Sequence, residues 1–165
     1  MKKTALLLLA LISAITLTFS SCSGSSDTAA DIPVADLTAA ADGHIANAAK
    51  LSAVDDDYIK GSLEVDPAML SEYILKIQVS GTEIDQYGIF KVADENNVQA
   101  VADSLNAYLD MMRANWEALP YQPQEKPKLD SAGVEIIGNY VLFTILSAEE
   151  SDAVVNAVND MLKSK

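Results

Sequence analysis

Apolar and polar residues fall into a few periodic segments along the chain. Apolar residues recur three and four positions apart from Leu37 to Leu51, which predicts a first helix with Asp36 as a plausible N-cap. Apolar and polar residues then alternate from Tyr73 to Val79, and a return strand is expected from Ile84 to Val92. Gly88 inside the return strand predicts a bulge or the close approach of a neighbouring element.

The strongest predicted helix follows these two strands, and a second strand-strand-helix unit comes after it. An unbroken apolar stripe predicts a helix from about Glu95 to Ala118. Three prolines follow, which favours a loop to about Ala132. Strands are expected at Val134–Ile137 and Tyr140–Leu146, joined by a Gly-Asn turn, before a last helix that opens with a capping box at Ser147.

This order of elements predicts one α+β domain over residues 34–165. Two strand-strand-helix units would give a two-layer structure in which a four-stranded, mostly antiparallel sheet carries its helices on one face. An N-terminal helix would precede it.

Residues 1–21 have the layout of a signal peptide. Lys2 and Lys3 precede an apolar stretch that is too short to span a membrane, and small and polar residues follow, ending in Phe19-Ser20-Ser21-Cys22. Residues 22–33 are mostly small and polar, which predicts a flexible tether between the signal peptide and the domain.

The single cysteine of the chain is the predicted site of lipid attachment. The small residues before Cys22 resemble the lipobox of bacterial lipoproteins, in which the cysteine sulfur receives a diacylglycerol and becomes the mature N-terminus. Such an anchor, with palmitate-type acyl chains, would hold the protein on the extracytoplasmic face of the cell membrane. An ordinary secreted protein with an unpaired thiol, or an uncut signal anchor, is the alternative.

Composition and charge narrow the choice of partners. Half of the 165 residues are apolar, so a core can form, and the formal net charge is −13. Removal of residues 1–21 takes away two lysines and no acid, which leaves nine basic and 24 acidic side chains and a charge of −15. This charge argues against nucleic acid as a partner and suits a cationic one, although acidity is also an ordinary route to solubility.

The two strand pairs and the helix between them carry a series of short motifs. In chain order these are Glu83-Ile84, Tyr87-Gly88-Ile89-Phe90-Lys91, a long helix ending in Trp116, a proline-containing loop, and Gly138-Asn139-Tyr140-Val141-Leu142. The series resembles a family of uncharacterised small lipoproteins that is common in clostridia and related anaerobes and is catalogued as a domain of unknown function. The resemblance extends from about Ala35 to Leu162 and implies a fold and an envelope location, with no activity attached.

A binding surface is the first functional hypothesis for the domain. Tyr87 and Tyr121 stand beside a turn and a loop, where aromatic rings often frame binding sites. Glu83 lies in the segment that carries the resemblance, and strand alternation would place Glu83 and Asp85 on one face. Such a carboxylate pair could serve acid–base chemistry if the environments separate the two pKa values, whereas a solvated strand end is the simpler interpretation.

Other chemistry finds little support in the sequence. Asp55-Asp56-Asp57 lacks the spacing of a calcium loop and fits a capped helix start better. His44 has no histidine or cysteine companion, so a partly packed histidine is favoured over a ligand or base. We therefore expect no metal site and no cofactor.

These observations favour a lipid-anchored, extracytoplasmic and non-catalytic domain that binds a protein or a small molecule. Whether the chain is an enzyme stays open at this point. The alternatives are a cell-envelope enzyme that uses surface carboxylates such as Glu83 and Asp85, and an accessory subunit of a membrane complex.

Overall fold

A five-stranded antiparallel sheet forms the centre of the protein in a computed structural model that describes residues 29–119 and 122–163. Every neighbouring pair of strands is antiparallel, and the spatial order is β1-β2-β3-β5-β4. The strands are β1 (Leu51–Ala53), β2 (Leu70–Gln78), β3 (Gln86–Val92), β4 (Gly133–Ile137) and β5 (Tyr140–Ile145). The expected α+β class and antiparallel pairing are confirmed, whereas the expected number of four strands is wrong.

Five α-helices accompany the sheet in the described part of the chain. They are α1 (Val34–Asp42), α2 (Asp56–Ser62), α3 (Val98–Ala118), α4 (Lys126–Ser131) and α5 (Ala148–Lys163). The long helix and the last helix agree with the sequence pattern. The Ser147 hydroxyl accepts the N–H of Glu150 at 3.3 Å and donates to its carboxylate at 2.7 Å, so the predicted cap of α5 is present.

The extra strand β1 lies where the sequence predicted the end of the first helix. Helix α1 already ends at Asp42, so the prediction that it continues to Leu51 is wrong. The spacing misled because Leu51 is buried against the same cluster as Leu37 and Ile45, although it begins a strand. The prediction of Asp36 as the N-cap is also wrong. Pro33 occupies the N-cap position, and Asp36 lies in the first turn of α1.

Helices cover both faces of the sheet, which corrects the expectation of a two-layer domain with helices on one face. One core joins α2, α3 and α4 to side chains such as Phe90 and Phe143, and we call this side face A. The other core joins α1 and α5 to side chains such as Tyr87 and Tyr140, and we call it face B. Strands β3 and β5 therefore send alternate residues into two cores, which explains why β5 is buried throughout.

The proline-rich segment after α3 contains a helix, where the sequence predicted only a loop. A 3₁₀ turn at Pro123–Glu125 leads into α4, and Pro127 lies in the first turn of that helix. Proline is accepted there because the first N–H groups of a helix have no partner inside the helix. The prolines thus mark the start of α4.

The end of the predicted tether belongs to the fold. Residues 29–33, which we call the strap, cross face B before α1 begins. The N–H of Ala30 donates to the Leu162 carbonyl at 2.8 Å. The Tyr140 hydroxyl accepts the N–H of Ile32 at 2.9 Å and donates to the carbonyl of the same residue at 2.7 Å. Only residues 22–28 of the predicted tether lie outside the described residues.

Candidate functional site

Glu83 lies in the exposed turn between β2 and β3 and folds back on that turn. Its carboxylate accepts the N–H of Thr82 at 3.2 Å. Bonds to its own N–H and to that of Thr82 hold the pKa of Glu83 below its usual value. Since β3 begins only at Gln86, the expectation that Glu83 and Asp85 share one face of a strand is wrong.

Asp85 forms a mostly buried ion cluster with Glu125 and with Lys128 of α4. The Lys128 amine lies 2.6 Å from the Asp85 carboxylate and 2.8 Å from that of Glu125, and each of the three side chains is less than one-fifth exposed. Glu125 also accepts the N–H of Ile84 at 3.3 Å. Burial opposes the charge of Lys128, but its bonds to Asp85 and Glu125 outweigh burial and raise its pKa. The cluster thus ties α4 to the β2–β3 turn through groups that are already paired.

Tyr87 is completely buried on face B, so it does not contribute to a surface as the sequence suggested. Its hydroxyl donates to the Asp42 carboxylate at 2.6 Å, and Lys76 donates to the same carboxylate at 2.7 Å. The Lys76 amine also lies 5.9 Å from the centre of the Tyr87 ring. Burial and the neighbouring Asp42 raise the pKa of Tyr87 far above its usual value. The side chain therefore fastens the end of α1 to the sheet.

The remaining candidates are Cys22, Tyr121, His44 and the aspartates at residues 55–57. Cys22 and Tyr121 lie outside the described residues. His44 is exposed in the turn after α1, while Asp55 caps α2 by accepting the N–H of Tyr58 at 3.0 Å. Within residues 29–119 and 122–163, no group of three or more His, Cys, Asp or Glu side chains could hold a metal ion.

A second cluster, missed by the sequence reasoning, joins the strap to the sheet. The Lys91 amine lies 2.6 Å from Asp31 and 3.1 Å from Glu72, and 5.7 Å from the centre of the Tyr140 ring. The other oxygen of Glu72 accepts the N–H of Val34 at 2.8 Å. The bond to Asp31, with help from Glu72, raises the pKa of Lys91 against the effect of burial. Strand β2 thereby holds the start of α1.

The edge of β2 is open over the first half of the strand. The N–H of Gln78 donates to the backbone carbonyl of Asp85 on the β3 side. The Leu75 carbonyl accepts the N–H of Val54 on the opposite side. Alternation along an antiparallel strand then directs the N–H and carbonyl of Tyr73 away from β3. β1 pairs only with Lys76–Gln78. Among the described residues, no strand pairs with Tyr73 on its outer side.

A shallow apolar groove runs along this open edge. We call it the α1–β2 groove; its lining residues are Val34, Ala35, Thr38, Glu72, Tyr73 and Ile74. The small side chains of Ala35 and Thr38 leave room above the strand edge, and Tyr73 stacks against Phe90 with a centroid distance of 6.3 Å. Backbone hydrogen-bonding groups beside an apolar groove are what an added strand uses for binding.

Comparison with known proteins places the whole sheet in one family. Residues 45–146 match the family described as Domain of unknown function (DUF4358), which is more than half of the chain. The chain belongs to the DUF4358 family. No curated protein and no solved structure matches it. The DUF4358 match includes all five strands and α2–α4, whereas the strap, α1 and α5 lie outside it. A lipid anchor and a clostridial source remain predictions.

None of the helices in the described part of the chain is long and apolar enough to cross a membrane.

Charged residues on an otherwise apolar strand were the signal for the Lys91 cluster. Glu72 and Lys76 alternate with Ile74 in β2, and this series points to face B together with Tyr87 of the neighbouring strand. A charge on a covered sheet face requires a partner. The identity of that partner depends on the strap and on α1, which the strand pattern alone does not place.

Proposed function

We propose that this DUF4358 protein is a lipid-anchored lipoprotein on the extracytoplasmic face of the cell membrane, where its domain binds a polypeptide without catalysing a reaction. One observation carries the binding part of the proposal, namely the α1–β2 groove beside the outward backbone groups of Tyr73. An extended segment laid there would satisfy these groups and bury apolar side chains at the same time.

The strap supports the anchored part of the proposal. Ala29 lies against the β4–β5 turn, because a Cβ built on Gly138 would meet the Ala29 Cβ at 2.6 Å. The seven residues from Cys22 to Thr28 span at most about 25 Å when extended. A diacylglycerol on Cys22 would hold this end of the sheet close to the bilayer.

The groove lies at the same end of the sheet as the strap. Glu72 in the groove accepts the N–H of Val34, the first residue after the strap. A partner in the α1–β2 groove would therefore be bound close to the membrane surface, as suits a protein that retains or positions an envelope component.

The anchor is tested by the intact mass of the protein extracted from membranes of the producing cells. We expect cleavage before Cys22 and the added mass of acyl chains. A Cys22→Ser variant is the control, and it should carry no acyl chain. Unmodified wild-type protein released into the medium would contradict the anchored part of the proposal.

The binding part is tested by photocrosslinking in the same cells. A photoreactive amino acid replaces Ala35, which lines the groove, or Ala39, which is exposed on α1 but does not line it. We expect a polypeptide adduct from position 35 and none from position 39. Equal adducts from both positions, or none from either, would contradict a polypeptide site in the groove.

A further inference from the structure

Resting on the proposed function, we propose that the partner segment in the α1–β2 groove is an extended and positively charged polypeptide strand. It pairs with the outer side of β2 at Tyr73 and follows the line of β1 where that strand ends. The backbone of β2 supplies its hydrogen bonds, and the charges around the groove select its side chains.

Acidic side chains flank the open edge on the face A side. The Tyr73 hydroxyl donates to the Asp56 carboxylate at the start of α2. Asp55 is close enough to contribute to the electrostatics of Tyr73: burial together with Asp56 and Asp55 raises the pKa of Tyr73 to about 12. Both aspartates are exposed, so a cation on the partner could approach them from solvent.

Acidic side chains also flank the groove on the face B side. Glu72 lines the groove and Asp31 lies beside it in the strap, and both are within 3.1 Å of Lys91. Lys91 is the one cation in these contacts. Four carboxylates against this one amine leave a surplus of negative charge on the two sides of the edge. A basic strand relieves this surplus, whereas an acidic strand increases it.

The same charge argues against a second copy of the chain in the groove. Each mature chain carries a formal charge of −15, so two copies repel each other. Edge-to-edge pairing of two β2 strands would also bring Asp55, Asp56 and Glu72 of both copies together. The geometry therefore fits a basic segment of another polypeptide better than self-association.

The experiment selects random, linear displayed peptides on the full chain held in detergent micelles at low ionic strength. We expect an excess of lysine and arginine alternating with β-branched residues among the selected peptides. The affinity of these peptides should fall with added salt. An Ala35→Trp variant, which fills the groove from the exposed side of α1, should abolish binding, and Ala39→Trp should retain it.

Two matched double variants test the charges directly. Asp55→Asn with Asp56→Asn removes two charges but keeps a capping oxygen for α2 and an acceptor for Tyr73. Asp94→Asn with Asp103→Asn removes two charges elsewhere and likewise keeps a cap and a side-chain acceptor. We expect the first pair to weaken binding by about five- to tenfold, and the second by less than about twofold.

Each outcome decides a different point. Selected peptides without a basic excess that still need the open groove would overturn the charge assignment and leave the proposed function standing. Peptides that bind equally well to the Ala35→Trp variant would overturn the site. If no peptide is selected, the strand proposal is wrong, and crosslinking at position 35 then shows whether another polypeptide contact occupies the groove.

Discussion

Tyr140→Phe should release the strap without disturbing the core. The Tyr140 ring is fully buried on face B, and its hydroxyl both accepts from and donates to the backbone of Ile32. Phenylalanine keeps the ring and removes only this oxygen. The N–H and the carbonyl of Ile32 then both lose their hydrogen-bond partner.

The expected loss of stability follows from these two bonds. A neutral hydrogen bond contributes about 1 kcal/mol, so the free energy of unfolding should fall by about 2 kcal/mol. Because Ile32 is only half-buried, water can reach the released groups and keeps the loss near this value. The same 2 kcal/mol corresponds to a roughly thirtyfold increase in local opening of the strap.

Urea unfolding and native-state hydrogen exchange measure the two quantities. We expect a lower midpoint with an unchanged slope, and roughly thirtyfold faster exchange of the Ile32 amide. Tyr108→Phe is the control, because its hydroxyl donates to Gln86 at 3.2 Å on face A and should leave Ile32 protected. Unchanged protection of Ile32 in Tyr140→Phe would refute the idea that this hydroxyl holds the strap.

Three further substitutions address other parts of the fold. Lys128→Met should lower the free energy of unfolding by about 2–3 kcal/mol, because it leaves two mostly buried carboxylates without their cation. Since the folded-state pKa of Lys128 is raised, this difference should persist through neutral pH and shrink only above about pH 10.5. Glu150→Ala should lower the free energy of unfolding by about 1.5 kcal/mol at neutral pH, because the carboxylate accepts hydrogen bonds from the Ser147 hydroxyl and the Ala46 N–H. Burial opposes the charge of Glu150, but these bonds outweigh burial and lower the pKa of Glu150 in the folded state. The contribution of Glu150 to stability is therefore present above about pH 4.3 and is lost as the pH falls through the folded-state pKa. Gly88→Ala should lower the free energy of unfolding by about 1–3 kcal/mol, because the added Cβ would lie 2.7 Å from a ring carbon of Phe90.

Each of these substitutions has a matched control in the chain. Lys126→Met breaks only an exposed pair with Asp130 and should change stability by less than about 0.5 kcal/mol. Glu149→Ala removes the exposed side chain next to Glu150 and should change stability by less than about 0.5 kcal/mol. Gly61→Ala adds a Cβ with nothing within 4 Å and should be neutral or stabilising. Equal losses in a variant and its control, measured by urea unfolding, would contradict the corresponding assignment.

The sequence predicted the elements whose signals are local. The β4–β5 hairpin follows from the turn at Gly138-Asn139, and α3 follows from a stripe of apolar residues over several turns. Gly88 was expected to mark a bulge or a close approach; its strand pairing is regular, and the Phe90 ring and the Ile74 carbonyl lie close to it. In each case the residues that give the signal lie next to the structure they predict.

The errors share a different cause, namely contacts between residues that are distant in the chain. Leu51 has the spacing of a helix, yet it pairs with Gln78 as a strand. Tyr87 stands near a turn, yet α1 covers it through Asp42. The strap has the composition of a linker, yet Tyr140, 108 positions further along the chain, bonds to the backbone of Ile32. Local composition cannot show a partner that only the tertiary structure brings near.

The sequence did not reveal the α1–β2 groove, because the groove too depends on residues that are distant in the chain. The open edge exists because β1 ends after three residues, and the β2 backbone is the same whatever side chains it carries. The groove wall is built by Val34, Ala35 and Thr38 of α1, which lies outside the residues that match the DUF4358 family. Under the proposed function, the open edge that would pair with an added strand belongs to the sheet, whereas the groove wall that would accept or reject a particular strand comes from α1. Substitutions at Ala35 should accordingly change which peptides bind before they change the stability of the sheet.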